Sequence, residues 1–205
     1  MSEFNLEKLL EHLMQAQAPG TDIDHHQFCQ AILEITHSLS FLGRAMSMAF
    51  SDIHSKANII LSNFENTSAA NLKEMVMLEL NSEKLKEHSK QNPSTARTVL
   101  RLMWFLDFLS MLLSNLVNRR DWKMSKCCGE AYKQALAPHH SWKIRTAAKL
   151  GIKTLPTREV YLKNLLSHED PELQSRQLWS ILEAIRPIKD TLWEFYTEQG
   201  LTELP

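Results

Sequence analysis

Residues 99–117 constrain this chain more than any other stretch. The run is almost long and apolar enough to cross a bilayer, yet it carries Arg101, Asp107, Ser110, Ser114 and Asn115. Such a helix belongs at the buried centre of a helical fold, and the rest of the chain has to wrap it. Phe28, Ile32, Ile35, Leu39, Leu42, Met46, Ala49 and Ile53 step alternately by four and three, the spacing of one long amphipathic helix or two nearly continuous ones. Only five Gly and seven Pro punctuate 205 residues, and no alternating strand pattern occurs, so the chain reads as all-α.

Further helices are predicted over residues 4–16, 71–80, 126–136, 141–150, 157–166 and 171–199, with Pro19-Gly20-Thr21-Asp22 as the first break. A polar turn or short helix is expected over 83–90. Asn92-Pro93 offers a cap and a first-turn proline for the helix over 94–118. Gly151 would close the helix over 141–150, and Arg186-Pro187 would kink the last one. The sum is about eight helices in one domain over residues 1–205.

A net charge of −1 leaves no global field to recruit nucleic acid, so anion recognition has to be local. Cys29, Cys127 and Cys128 form neither a disulfide framework nor a zinc site, and no metal or other cofactor is expected. The N-terminus begins as an acidic amphipathic helix rather than a signal peptide, so a cytoplasmic location is expected.

Charge appears where apolar side chains should be. At about 100° per residue, Ala49, Ile53, Lys56 and Ile60 fall in one arc with Asp52 at its edge. By the same arithmetic Arg97, Arg101, Trp104, Phe108, Met111 and Leu112 share a face, so two guanidinium groups head an apolar stripe. Taken singly, Asp52 and Lys56 are an ordinary i,i+4 surface pair. Cations near a helix start, however, oppose the helix dipole, and burying them is costly without an anion. One Asp52 does not neutralise three cations. The surplus positive charge above apolar walls is what a pocket for an anionic lipid requires.

Asp52-x-x-x-Lys56, Arg97-x-x-x-Arg101 and the run Ala131-Tyr132-Lys133-Gln134-Ala135-Leu136-Ala137-Pro138-His139-His140-Ser141-Trp142 occur in this order. Together, over residues 28–160, they resemble the glycolipid transfer protein superfamily. The resemblance implies a two-layer helical sandwich that encloses one sphingolipid, with its head group at the surface and its chains inside. The glycolipid-binding branch carries Asn four and Lys seven residues after the Asp, and a Trp under the sugar. Here Lys56 and Ile59 stand at those spacings and Arg101 aligns with the Trp, so the chain is similar to the ceramide-1-phosphate branch. The resemblance sets His140 beside the head group, with Tyr132 packed behind it.

A phosphate monoester carries about −1.5 to −2 charges, which Lys56, Arg97 and Arg101 match, arginine by its planar fork. Asp52 would accept hydrogen bonds from the amide and hydroxyl of a ceramide. The apolar walls are expected to include Phe28, Ile32, Leu42, Met46, Phe50, Ile53, Trp104, Phe108, Met111 and Leu112. Several of the nine methionines, Met46, Met48, Met103 and Met111 among them, suit a cavity that repacks when empty, or fill an ordinary core.

Trp142, with Lys143, Arg145, Lys149 and Lys153, is the expected membrane-docking edge, and Arg119, Arg120 and Trp122 form a second candidate. Helix one, through Leu6, Leu9, Leu10 and Leu13, is a candidate gate. The expected activity is non-vesicular transfer of one phosphosphingolipid, ceramide-1-phosphate foremost, by a monomer that touches membranes transiently. No activated nucleophile or phosphate-cradling glycine loop points to an enzyme. A lipid sensor or adaptor without transfer, and a glycolipid carrier, remain open as alternatives.

Overall fold

A computed structural model of the chain describes residues 4–17, 22–43, 46–82, 93–166 and 168–204, apart from the side chains at 47 and 48. It contains nine α-helices and no β-strand among the described residues: α1 Leu6–Ala16, α2 His25–Leu39, α3 Ser47–Phe64, α4 Leu72–Leu80, α5 Thr95–Asn118, α6 Met124–Ala135, α7 Trp142–Lys153, α8 Arg158–Leu165 and α9 Pro171–Glu198. The predicted segment 83–90, Asn92 and the side chain of Met48 lie outside the described residues. α2 packs between α1 and α3 in one layer, and α5 packs between α6 and α9 in the other. The layers meet where α3 lies on α5 and α1 on α9.

Local chemistry sets the helix starts. Asn5, Asp24, Asn71, Ser94, Thr157 and Asp170 each accept a backbone N–H of the first turn on a side-chain oxygen. At α5 the cap is Ser94, whose hydroxyl accepts the Arg97 N–H at 3.1 Å, so Pro93 precedes the helix rather than opening it. The stretch through residues 28–53, read as one long helix or two nearly continuous ones, forms two, α2 and α3. A 3₁₀ turn, Ser40–Leu42, leads to Gly43 at φ +91°, a backbone conformation that strains any residue with a Cβ. Gly151 is buried inside α7, which runs on to Lys153, and Pro187 is carried within α9.

α5 is long and apolar enough to span a bilayer, and most of its apolar length is buried in the core. Its polar residues are accounted for by neighbours. Asp107 accepts the Trp193 indole N–H at 3.0 Å and pairs with Lys189 at 3.2 Å, both from α9. Asn115 donates to the Cys127 carbonyl of α6 at 3.0 Å. At the C-terminal end the Arg158 guanidinium of α8 donates to the carbonyls of Leu116 and Arg119, which the helix itself leaves open.

Candidate functional site

Three elements bring the sequence-predicted polar residues together. α3 contributes Asp52 and Lys56, whose carboxylate and ammonium lie 2.5 Å apart. The pair is lopsided: the Lys56 side chain is only 14% exposed, the Asp52 side chain 63%. Lys56 therefore points inward, as its helical phase requires, although Ala49 of the same arc is exposed. α5 contributes Arg97 and Arg101, both partly buried, with an Arg101 Nη1 donating to the Arg97 carbonyl at 2.9 Å. The turn after α6 contributes His139 and His140.

The electrostatics tie these elements to one place. Burial holds the Arg101 guanidinium below its ordinary value; Arg97 pushes the same way and Asp52 opposes. Burial likewise lowers His140, with His139 adding to the effect, Asp52 opposing it and Lys56 reinforcing it. Asp52 thus acts on both Arg101 of α5 and His140 beyond α6, and among the described residues the cations of the group outnumber its carboxylate. The result is a cationic site that is partly withdrawn from water, where a dianion would interact more strongly than at an open surface.

The second nitrogen of His140 has a partner the sequence did not name: Tyr132 Oη lies 3.0 Å from Nδ1. Tyr132 is buried, which raises its phenol above the ordinary value, with Arg145 acting to lower it. This contact fixes the imidazole and leaves Nε2 as its other polar atom. His139, to which sequence reasoning assigned no separate role, stacks flat on Trp104, with ring centres 3.7 Å apart and planes within 3°. The Trp104 ring, about one turn after Arg101 on α5, is thereby held between His139 and the core.

The predicted apolar walls divide by depth. Phe28, Ile32, Leu42, Phe108 and Leu112 are buried. Met46, Phe50, Ile53, Trp104 and Met111 are partly buried against the same core. Three of the latter group sit on or just before α3, beside Asp52 and Lys56. Met111 also borders a separate cleft of about 340 Å³ between α5, α6 and α9, lined by Ser110, Ser114, Arg186 and Lys189 among others. Of the predicted gate residues, Leu6, Leu9 and Leu13 are buried and Leu10 is partly so.

The predicted docking edge is exposed. Trp142 opens α7 with its side chain 67% exposed, Lys143 lies over its ring, and Arg145 and Ile144 are exposed beside it. The second candidate is more engaged. Trp122 is packed partly into the core beneath Arg119 and Lys126, and Arg120 pairs with Glu172 at 2.9 Å.

An all-helical sandwich with a cationic site over apolar walls is the architecture of a lipid-binding protein, and comparison with known proteins makes the class specific. The profile described as Glycolipid transfer protein (GLTP) matches residues 23–167, and the chain belongs to this family, whose members are lipid transfer proteins. Among curated relatives, the mouse ceramide-1-phosphate transfer protein is 28% identical over 99% of this chain and 97% of its own length. The Xenopus laevis ceramide-1-phosphate transfer protein is 31% identical over 82% and 80%. The crystal structure of human ceramide-1-phosphate transfer protein in complex with 12:0 ceramide-1-phosphate superposes with a TM-score of 0.88 at 28% identity, covering 98% of this chain and 100% of that one.

Sequence reasoning missed His139 and two residues that brace α5, Glu79 and Tyr196. For Glu79 a signal existed. It continues the buried face of α4 set by Leu72, Met75 and Val76, which is the same anomaly of charge on an apolar arc that identified Lys56.

Proposed function

We propose that this protein binds one ceramide-1-phosphate and carries it between membranes as a single domain in the cytoplasm. Lys56, Arg97 and Arg101 grip the phosphate. Asp52 accepts from the ceramide amide N–H or hydroxyl, and His140, oriented by Tyr132, donates through Nε2 to the acyl carbonyl or the phosphate. The walls from Phe28 to Leu112 part to receive the chains, with α1 as the gate. The observation that carries this reading is that Asp52 pairs with the mostly buried Lys56 and acts on both Arg101 and His140, with Arg97 close enough to Arg101 to act on it as well.

Moving a methylene from an apolar phase into water costs roughly 0.8 kcal/mol, so two long chains hold a free lipid in its bilayer. Apolar walls remove most of that barrier, and no covalent step is required. Trp142, with Lys143 and Arg145, docks the carrier on the membrane surface for the time the exchange takes.

The test is transfer of labelled ceramide-1-phosphate between vesicles, run beside labelled galactosylceramide. The proposal expects ceramide-1-phosphate to move, chemically unchanged, and galactosylceramide to lag by at least about tenfold, the discrimination of one charge-assisted contact. Equal transfer of both lipids would make the protein a glycolipid carrier. Tight binding with negligible transfer would make it a sensor.

A further inference from the structure

α5 has to hold two guanidinium groups in its first two turns, where the helix dipole opposes positive charge. Its start is fixed from three sides. Glu79 Oε2 of α4 accepts the Thr95 N–H at 2.6 Å and the Ala96 N–H at 3.2 Å. Asn63 of α3 donates to the Pro93 carbonyl and the Thr95 hydroxyl, each at 2.9 Å. Tyr196 of α9 donates to the Ala96 carbonyl at 2.8 Å. Ala96 is thus held at both its N–H and its carbonyl by different helices, and the next residue is Arg97.

Glu79 is the unusual member. It is 8% exposed, its second oxygen Oε1 is buried without a hydrogen-bond partner among the described residues, and it borders a cleft of about 250 Å³ with Asn63, Ser82 and Ser94. A carboxylate withdrawn from water with one oxygen unsatisfied is costly for a helix cap, particularly as Ser94 already caps α5 through the Arg97 N–H. What Glu79 adds is negative charge at the positive end of α5 and a fixed origin for the helix phase. These are the two quantities that decide where Arg97 and Arg101 stand.

We infer that Glu79 is a positioning residue for anion recognition: by anchoring the first turn of α5 from α4, it sets the two guanidinium groups at the spacing a phosphate monoester requires. The inference rests on the proposed role of Arg97 and Arg101.

The experiment compares equilibrium binding of ceramide-1-phosphate with that of ceramide, which shares the chains and lacks the phosphate. It uses the full-length protein, Arg97→Leu, Glu79→Ala, Glu79→Gln and Glu79→Asp. Arg97→Leu should lower the ratio of the two affinities about tenfold or more. Glu79→Ala should lower the ratio about tenfold while leaving ceramide binding nearly unchanged. Glu79→Asp, which keeps the charge but draws the oxygen back, should do the same if the alanine variant fails to fold. Glu79→Gln, which retains an acceptor oxygen at the N–H groups, should recover most of the ratio. In the Arg97→Leu background, Glu79→Ala should change the ratio by less than about twofold, because coupled residues are not additive. An equal loss for both lipids, or full additivity with Arg97→Leu, overturns the positioning role. An Arg97→Leu variant with an unchanged ratio overturns the head-group reading itself.

Discussion

Arg101→Leu separates binding from stability in a way the structure makes quantitative. On the proposed reading the bound phosphate accepts from this guanidinium, and a hydrogen bond to a charged group contributes about 1.5–3 kcal/mol. At 1.4 kcal/mol per tenfold, the variant should bind ceramide-1-phosphate about 10- to 100-fold more weakly. The free protein should respond in the opposite sense. Burial and Arg97 both disfavour the Arg101 charge, while Asp52 and the hydrogen bond to the Arg97 carbonyl favour it among the described residues. A leucine there, shorter but uncharged, should leave stability unchanged or raise it by up to about 1 kcal/mol, a few degrees in Tm for a chain of this size. Equilibrium binding and calorimetric melting of the same preparation measure the two effects. Unchanged affinity, or lost affinity accompanied by a collapse in Tm, would refute the reasoning.

Tyr132→Phe removes the hydroxyl that fixes His140 and should weaken binding several-fold at a stability cost of about 1 kcal/mol, measured by titration and melting. Trp142→Ala should leave Tm within the change of about 0.5 kcal/mol typical of surface positions. It should also reduce vesicle association and transfer without changing the binding of a short-chain ceramide-1-phosphate dispersed in water. His25, His139 and His140 are all held below the ordinary histidine value, chiefly by burial. The unfolded chain therefore binds more protons than the folded one as pH falls below about 6.5. Stability present above that pH should be lost progressively on acidification, and a Tm that is flat between pH 7 and 5 would contradict the assignment.

The periodicity of the apolar residues carried the helices and the cations that head α5, because both follow from the angle between successive residues on one helix. What it did not carry depends on neighbours. That two helices were possible over residues 28–53 was legible. The place of the break at Gly43 was hidden because the heptad-like spacing continues through it, and the backbone dihedral there marks the turn. Ser94 replaced Asn92-Pro93 as the cap of α5 because a hydroxyl in extended backbone one residue further on meets the Arg97 N–H. Gly151 did not end α7, since its small size places it in a buried position inside the helix.

The site follows the same division. Helical phase showed Lys56, Arg97 and Arg101 on apolar arcs with Asp52 at the edge of one, while their grouping as a head-group site came from the family resemblance. The partner of His140 and the stack of His139 on Trp104 were not, since they arise where the turn after α6 folds back over α5. Glu79 lay between these cases. Its position on the buried face of α4 was readable, but its purpose required knowing which helix start it meets.

The most direct test is a crystal structure of the protein with ceramide-1-phosphate bound. The account predicts the phosphate within hydrogen-bonding distance of Lys56, Arg97 and Arg101, the amide N–H at Asp52, and both chains among the residues that line the core from Phe28 to Leu112. A phosphate seated elsewhere, at the Arg186 and Lys189 cleft for example, with those three cations unoccupied, would contradict it.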